Sequence, residues 1–463
     1  MALAIAIVLL VIGSVLFHFL SPWWLTPIAS NWTMIDDTIG ITFWVTGFVF
    51  VVINLFMACV VVRYRHRPDR TASYEPENKK LEWWLIGFTT IGVAAMLAPG
   101  LFVWAKMVDV PDDAKVVEVI GQQWHWSYRF PGEDGVLGAV NSRLINDDNP
   151  FGMNPDDPAG QDDVLIASNE LHLPLDQPIK LALRSKDVLH NFTVAQFRVK
   201  MDLVPGMVPY IWFTPTRTGR FDILCAELCG IAHYTMRGHV VVEAQASFDA
   251  WLSQHPTYAD TLAQAPGNAV AGAALYTLCA SCHGPRGEGN ALLNAPKLSG
   301  LDGHYMTRQL RYFKAGIRGA HPDDTYGRQM APMAATLVDA QAINDVVTYI
   351  NTLPDEPAAP TITPETSAFG KRLYTSCGSC HGINGQGIQA MNAPRLAGMS
   401  DWYLATQLKN FKQGIRGAHP QDMYGPQMGL MASILRDDAA INDLVAHVNS
   451  LPKPRPLQVS ASD

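Results

Sequence analysis

Cys225-Ala-Glu-Leu-Cys229-Gly-Ile-Ala-His233-Tyr-Thr-Met236 packs two thiols, an imidazole, a carboxylate and a thioether into one twelve-residue run. Thiolate and thioether donors select copper, zinc or iron–sulfur centres, and imidazole plus Met added to that set points to a copper electron-transfer site. A second imidazole comes from Ser185-Lys-Asp187-Val-Leu-His190-Asn-Phe-Thr-Val, where His190 lies in β-type sequence. The other readings of two Cys four apart are a zinc half-site, or thiols left unused in a core.

Working outward, residues 107–253 are built of short β-type runs, among them Ala114-Lys-Val-Val-Glu-Val-Ile, Ile179-Lys-Leu-Ala-Leu-Arg and Gly238-His-Val-Val-Val-Glu. Gly and Pro turns separate them, which predicts a small all-β sandwich with the Cys225–Met236 run between its last two strands. Residues 131–163 hold eight Asp or Glu against the single Arg143, in Gly/Pro/Asn-rich sequence. A long solvated surface loop is the expectation there, with a docking surface as the alternative.

Toward the N-terminus three spans lack charged side chains: 1–20, 38–62 and 83–105. Each is long enough to cross a bilayer core of about 30 Å. Arg63, Arg65, Arg67, Arg70, Lys79 and Lys80 fall between the last two, whereas 21–37 has no Lys or Arg, so the positive-inside rule places 63–82 in the cytoplasm. The hairpin 38–106 then delivers everything after Lys106 to the outer side. The first span has neither a basic n-region nor a convincing small-x-small cleavage site, so a retained helix, an extra transmembrane span or uncleaved signal anchor able to pack against a neighbouring subunit, is expected over a cleaved signal peptide.

Toward the C-terminus, after a linker near 254–266, comes Cys279-Ala-Ser-Cys282-His283; after a second, Asp355-Glu-Pro-Ala-Ala-Pro, comes Cys377-Gly-Ser-Cys380-His381. C-x-x-C-H lets two thiols form thioethers to haem vinyl groups while the adjacent His becomes an axial ligand. The two motifs are 98 residues apart, and the same offset carries Asn294-Ala-Pro-Lys-Leu298 onto Asn392-Ala-Pro-Arg-Leu396 and Gly316–Pro322 onto Gly414–Pro420. Duplication of a whole module, 267–354 and 364–453, is the simplest account. Amphipathic helices are expected at Asp339–Leu353 and Asp437–Leu451. A sixth haem ligand could come from Met330 or Met333 in one copy and Met428 or Met431 in the other, and the repeated His321 and His419 leave bis-His ligation open. Arg318 and Arg416 could meet haem propionates or be exposed loop residues.

These motifs resemble subunit II of haem–copper cytochrome c oxidase, with two fused class I cytochrome c domains. The family carries C-x-E-x-C-x3-H-x2-M and an earlier D-V-L-H, and the likeness covers residues 38–253. It implies N-terminal transmembrane α-helices, an all-β cupredoxin-like sandwich and two all-α cytochrome c domains. It also implies a dinuclear copper, CuA, with Cys225 and Cys229 as bridging thiolates, His190 and His233 as terminal imidazoles, Met236 as a weak ligand and Glu227 contributing its carbonyl. Two covalently bound haems c follow, on Cys279, Cys282 and His283 with Met330, and on Cys377, Cys380 and His381 with Met428.

In Gln123-Trp124-His-Trp126-Ser-Tyr128 the likeness makes Trp124 the side where electrons come in, against plain aromatic core packing. Asp202 and the Glu227 side chain match a magnesium site shared with the catalytic subunit. Glu82 matches a carboxylate at the mouth of a proton channel, against a membrane-end carboxylate paired with Lys79 or Lys80. A third apolar span departs from the family's usual hairpin, and the Trp-Thr and Pro usual early in the last span are missing.

The function implied is an electron-relay subunit of a bacterial inner-membrane oxidase, facing the periplasm. Electrons would pass from an external donor, a cytochrome c or quinol–cytochrome c reductase, through the haems and CuA to subunit I, which reduces oxygen and pumps protons among other oxidase subunits and membrane lipid. A CuA-bearing subunit of a nitric oxide reductase is the near alternative, and a copper-binding or assembly module is the one from another class. A quinol oxidase subunit would have lost the copper cysteines.

Composition agrees with this frame. At 463 residues, 48% hydrophobic and 16% charged, the chain leans towards partial membrane embedding, and a net charge of −8 without a basic patch argues against a nucleic-acid partner. Six of the seven cysteines lie in the motifs, so no disulfide framework remains. The seventh, Cys59, is expected to be a buried, inert thiol in an apolar span.

Overall fold

Three long apolar helices lead the chain in the computed structural model: α1 (Ala2–Leu20), α2 (Thr33–Arg63) and α3 (Lys79–Val108). The structure describes residues 1–21, 26–71, 74, 76–145, 149–263, 265–362 and 367–452; parts of the expected acidic loop, the linkers and the second module's ends (146–148, 264, 364–366 and 453) lie outside these. All three helices are long and apolar enough to cross a membrane.

Helix α1 packs on α2, with His18 against Phe43 and Phe19 against Trp44 at ring separations of 6.2 and 6.4 Å. Cys59 corrects an expectation: it is exposed on α2, not buried. An apolar span in a bilayer turns much of its surface to lipid, so apolar sequence there does not mean protein burial.

Ten strands follow: β1 (Lys115–Gln122), β2 (His125–Phe130), β3 (Val164–Ile166), β4 (Glu170–Pro174), β5 (Ile179–Ser185), β6 (His190–Val194), β7 (Val199–Leu203), β8 (Tyr210–Phe213), β9 (Gly219–Cys225) and β10 (Arg237–Glu243). They form two five-stranded sheets, β3-β2-β1-β5-β8 and β4-β10-β9-β6-β7. Ile179-Lys-Leu-Ala-Leu-Arg-Ser buries every second residue, the period of a strand with one face in the core. Between the sheets lie Trp126, Tyr128, Leu181, Leu183, Phe192 and Ile223, all essentially inaccessible.

The sandwich is anchored to the membrane segment by more than its covalent link. Arg198 forms a two-pronged pair with Asp36 at 2.6 and 2.8 Å, Trp32 donates to the Trp212 carbonyl, and Trp212 donates to the Lys106 carbonyl. The outer ends of α2 and α3 are therefore gripped by the sheet layer, which holds the domain at the membrane surface.

The acidic stretch 131–163 is not simply a solvated loop. Phe151 and Met153 are buried with Ile120 and Tyr258, and Asp163 is fully buried. Arg129, itself 2% exposed, bonds Asp163 at 2.6 Å and Glu118 at 2.8 Å, and Arg184 reaches Glu118 as well. Acidity in sequence could not reveal this, because the cations come from β2 and β5. Short helices α4 (Gln245–Leu252) and α5 (Tyr258–Leu262) then close the sandwich, with Trp251 stacked on His172 at 4.2 Å.

Each C-terminal module has four helices: α6 (Ala269–His283), α7 (Gly303–Lys314), α8 (Thr325–Ala335) and α9 (Ala340–Asn351), then α10 (Ser367–His381), α11 (Asp401–Lys412), α12 (Gly425–Ser433) and α13 (Asp438–Asn449). Asp339 and Asp437 cap α9 and α13 with their side chains. First and last helices cross at a glycine: a Cβ on Gly272 would lie 2.0 Å from the Asp345 carbonyl oxygen, and one on Gly370 2.0 Å from that of Asp443.

Replacing Arg129 by Met leaves Glu118 with one cation and Asp163 with none. A loss of about 3–5 kcal/mol in the sandwich's unfolding free energy is expected, measured by denaturant titration.

Candidate metal centre and haem pockets

The residues of the Cys225–Met236 run converge because β9 ends at Cys225, β10 begins at Arg237, and the Cys225 amide donates to the Met236 carbonyl at the base of the loop. The Cys225 and Cys229 sulfurs stand 3.6 Å apart, too far for a disulfide. His190 Nδ1 lies 3.9 Å from the Cys225 sulfur, and His233 Nδ1 lies 3.4 Å from that of Cys229. Met236 Sδ is 3.9 Å from Cys229, and the Glu227 carbonyl is 3.2 Å from Cys225. Ligand atoms of His190, Cys225 and Cys229 fall within 4.8 Å of one another with all three residues buried. Two central sulfurs, an imidazole on each side, and a thioether and a carbonyl beyond them make a donor set suited to soft metal.

Three neighbours orient this set: Trp124, singled out from the sequence, and Asp187 and Gln123, to which sequence reading assigned no role. Asp187 accepts from His190 Nε2 at 2.8 Å, which leaves Nδ1 facing the thiols. Gln123 Nε2 and Trp124 Nε1 both donate to the Cys229 carbonyl, at 2.7 and 3.1 Å. The close approach requires Gly230, at φ +120°, where a Cβ would stand 2.7 Å from Gln123 Nε2. An acid three residues before the ligand His was the available signal for Asp187. Burial pushes His190 down, but its bonds to Asp187 and Cys225 outweigh this and raise it. The sulfur–sulfur contact draws the Cys225 thiol down and raises that of Cys229, so the two differ strongly in acidity.

Asp202 sits on β7 beside the ligand strand, opposite Asn191, whose amide donates to it at 2.6 Å. Glu82 lies exposed in the first turn of α3; Lys79 pairs with Glu77 at 3.8 Å.

In each helical module the C-x-x-C-H closes a helix, and the His donates from Nδ1 to a proline carbonyl: His283 to Pro296 and His381 to Pro394, both at 2.7 Å. That bond fixes the ring and leaves Nε2 for iron. His283, His381, Met330 and Met428 all line one continuous cavity, which Met333 and Met431 do not. His321 and His419 instead accept backbone bonds from Asp323 and Gln421 and do not line the cavity.

Arg318 and Arg416 are 8% and 7% exposed, which rules out the exposed-loop reading. Their partners are neutral and mostly crossed between modules: Arg318 bonds Gln309, Tyr403 and Gln407, and Arg416 bonds Gln407, Tyr305 and Gln309. Arg318 Nε has no partner. Two buried cations whose hydrogen-bond partners are neutral, in a cavity edged by both C-x-x-C-H motifs, suit haem, whose propionates would supply directly bonded anions.

The modules are locked together by Asp355 of the linker, which receives Lys297 from one module and Arg395 from the other. The second module rests on the sandwich. Gln427 donates to the Trp124 carbonyl at 3.1 Å, Tyr424 meets His125 edge-on at 5.2 Å, and Cys380, Met391 and Leu430 pack against the sandwich core. Trp124 is packed in the core, 5% exposed, and lies between the thiol loop and the second module.

Residues 115–245 match the family of cytochrome c oxidase subunit II periplasmic domains, and residues 269–354 and 367–452 each match cytochrome c. The alternative cytochrome c oxidase subunit 2 of Bradyrhizobium diazoefficiens is 61% identical over 259 residues, 56% of this chain and 94% of that relative. Among solved structures, the periplasmic domain of subunit II of cytochrome oxidase from Bradyrhizobium japonicum is 27% identical, covering 32% of this chain and 96% of that one, with a TM-score of 0.24. Reduced cytochrome c4 from Pseudomonas stutzeri is 25% identical, covering 40% and 100%, with a TM-score of 0.33.

Burial, with Lys186 nearby, lowers His125 from 6.5 to about 3. An unfolded histidine takes up its proton below pH 6.5 and the folded one does not until about 3. Stability should therefore fall as pH drops through that window, and His125→Gln should flatten the acid limb of melting temperature against pH.

Proposed function

This chain belongs to the cytochrome c oxidase subunit II family, and we propose that it is the electron-relay subunit through which an external donor feeds a haem–copper oxidase. Cys225, Cys229, His190, His233, Met236 and the Glu227 carbonyl would together hold a dinuclear copper. Cys279, Cys282, His283 and Met330 hold one haem c; Cys377, Cys380, His381 and Met428 hold the other. Copper and haem iron, when bound, supply one-electron oxidation and reduction.

The chain's own residues do the positioning. Asp187 sets the His190 ring, Trp124 and Gln123 brace the Cys229 carbonyl, and Arg318 and Arg416 compensate negative charge where water is excluded. The module order gives the relay a direction: the second module lies against the sandwich and pairs with the first, so electrons taken in by the first reach the copper loop through the second. Fusion acts as a built-in donor held at high effective concentration. Asp202 contributes to a magnesium site shared with subunit I, Glu82 stands at a proton-channel mouth, and the complex resides in a bacterial inner membrane with the sandwich and modules in the periplasm.

The observation that carries this reading is the pair of unbonded thiols 3.6 Å apart, flanked by two imidazoles and braced by the tryptophan on which a C-x-x-C-H module sits. In the detergent-extracted complex supplied with an artificial haem c donor, rapid oxygen uptake is expected, falling to background in Cys225→Ser while haem reduction persists. Consumption of nitric oxide with little oxygen uptake would move the acceptor to a reductase. Arg318→Gln removes a buried positive charge that favours the reduced state, so the haem potentials should fall, read by spectroelectrochemical titration.

A further inference from the structure

The duplicated modules present the same surface in two different states. In the second module, Cys380, Met391, Tyr424, Gln427 and Leu430 are partly covered, all five in the contacts to Trp124, His125 and the sandwich core described above. The offset of 98 residues carries these onto Cys282, Leu293, Tyr326, Gln329 and Pro332 of the first module. All five are exposed there, Leu293 at 50% and Tyr326 at 45%, and the adjoining Leu292 is 92% exposed. Side chains that serve as an internal seat in one copy stand uncovered in the other.

Resting on the relay reading, we infer that this face of the first module is the docking surface for the external donor, a soluble one-electron carrier whose cofactor edge is rimmed by uncharged, apolar side chains. Three observations select that occupant. The surface filling the equivalent seat, Gln123-Trp124-His125, bears no formal charge, since His125 is held neutral. The exposed charged residues flanking this face in sequence are two of each sign, Arg286 and Arg328 against Glu288 and Asp323, which gives no net field for steering. The Trp124 face of a second copy is already covered by its own second module, so a copy of this chain cannot repeat the contact.

Because Cys282 is exposed while His283 beside it is buried, the group these residues hold meets solvent at this face. Leu292 and Leu293, which replace Ala390 and Met391 of the other copy, enlarge the apolar centre of the patch.

The test uses the intact complex and two reductants: a soluble monohaem class I cytochrome c reduced beforehand, and the small molecule tetramethylphenylenediamine. Placing a charge at the patch centre in Leu292→Asp/Leu293→Asp should slow second-order haem reduction by the protein donor about tenfold or more. Retention of the oxidised carrier on immobilised complex, read without turnover, should weaken in parallel. Reduction by the small molecule and the oxygen uptake it drives should be unchanged, which also shows that the variant folds. The wild-type protein-donor rate should change less than about twofold from low to high salt. Met391→Asp, in the covered copy, should leave first-encounter reduction as in wild type. An unchanged protein-donor rate in the double variant, a steep salt dependence, or equal slowing by Met391→Asp would overturn the docking assignment. If the small molecule reduces the haems but drives no gas consumption in wild type, the relay reading itself fails.

Discussion

Two sulfurs held 3.6 Å apart without a bond between them are the constraint on which the rest of this architecture depends. As thiolates they repel, and only metal between them or a shared proton relieves that repulsion at such a distance. The protein must therefore fix both positions in advance. Cys225 is set by the end of β9 and its clasp to Met236, and Cys229 by a carbonyl that receives two donors, from Gln123 and Trp124. The same Trp124 carries on its backbone carbonyl the contact from Gln427 of the second module. One aromatic residue thus links the loop, the sandwich core and the neighbouring domain.

Duplication supplied two copies of one module, and divergence in a few residues gave them different work. Both place His on a proline carbonyl, cross their terminal helices at a glycine and bury an arginine over a phenylalanine, Arg318 on Phe313 and Arg416 on Phe411, each at 4.5 Å. The arginines then reach across to tyrosine and glutamine of the other copy, so neither pocket is complete alone. Symmetry is broken by the linker carboxylate of Asp355, which binds both Lys297 and Arg395, and by the sandwich, which covers the second copy. A buried cation gains from such a partner only when the geometry is held, and the repeat provides that geometry twice.

Much of this was legible from residue types and spacing. The soft-donor loop, the paired C-x-x-C-H motifs and the long uncharged spans each couple a chemistry to a local pattern, and no distant partner is needed to read them. Where partners lie far apart in sequence, the same reasoning stopped short. The acidic stretch 131–163 reads as solvated until Arg129 is brought to Asp163, and Arg318 reads equally as surface until Tyr403 closes over it. Cys59 reads as buried because hydropathy does not distinguish a protein core from lipid.

From sequence alone came the candidate metal and haem donors, the apolar spans and the repeat, because ligand chemistry and hydrophobic length are properties of the residues themselves. Only the tertiary structure decided which module lies on the sandwich, which methionines line the cavity and which arginines are buried. Those outcomes depend on contacts between segments hundreds of residues apart, such as Gln427 with Trp124, and a linear pattern carries no signal of which distant surfaces will exclude water together.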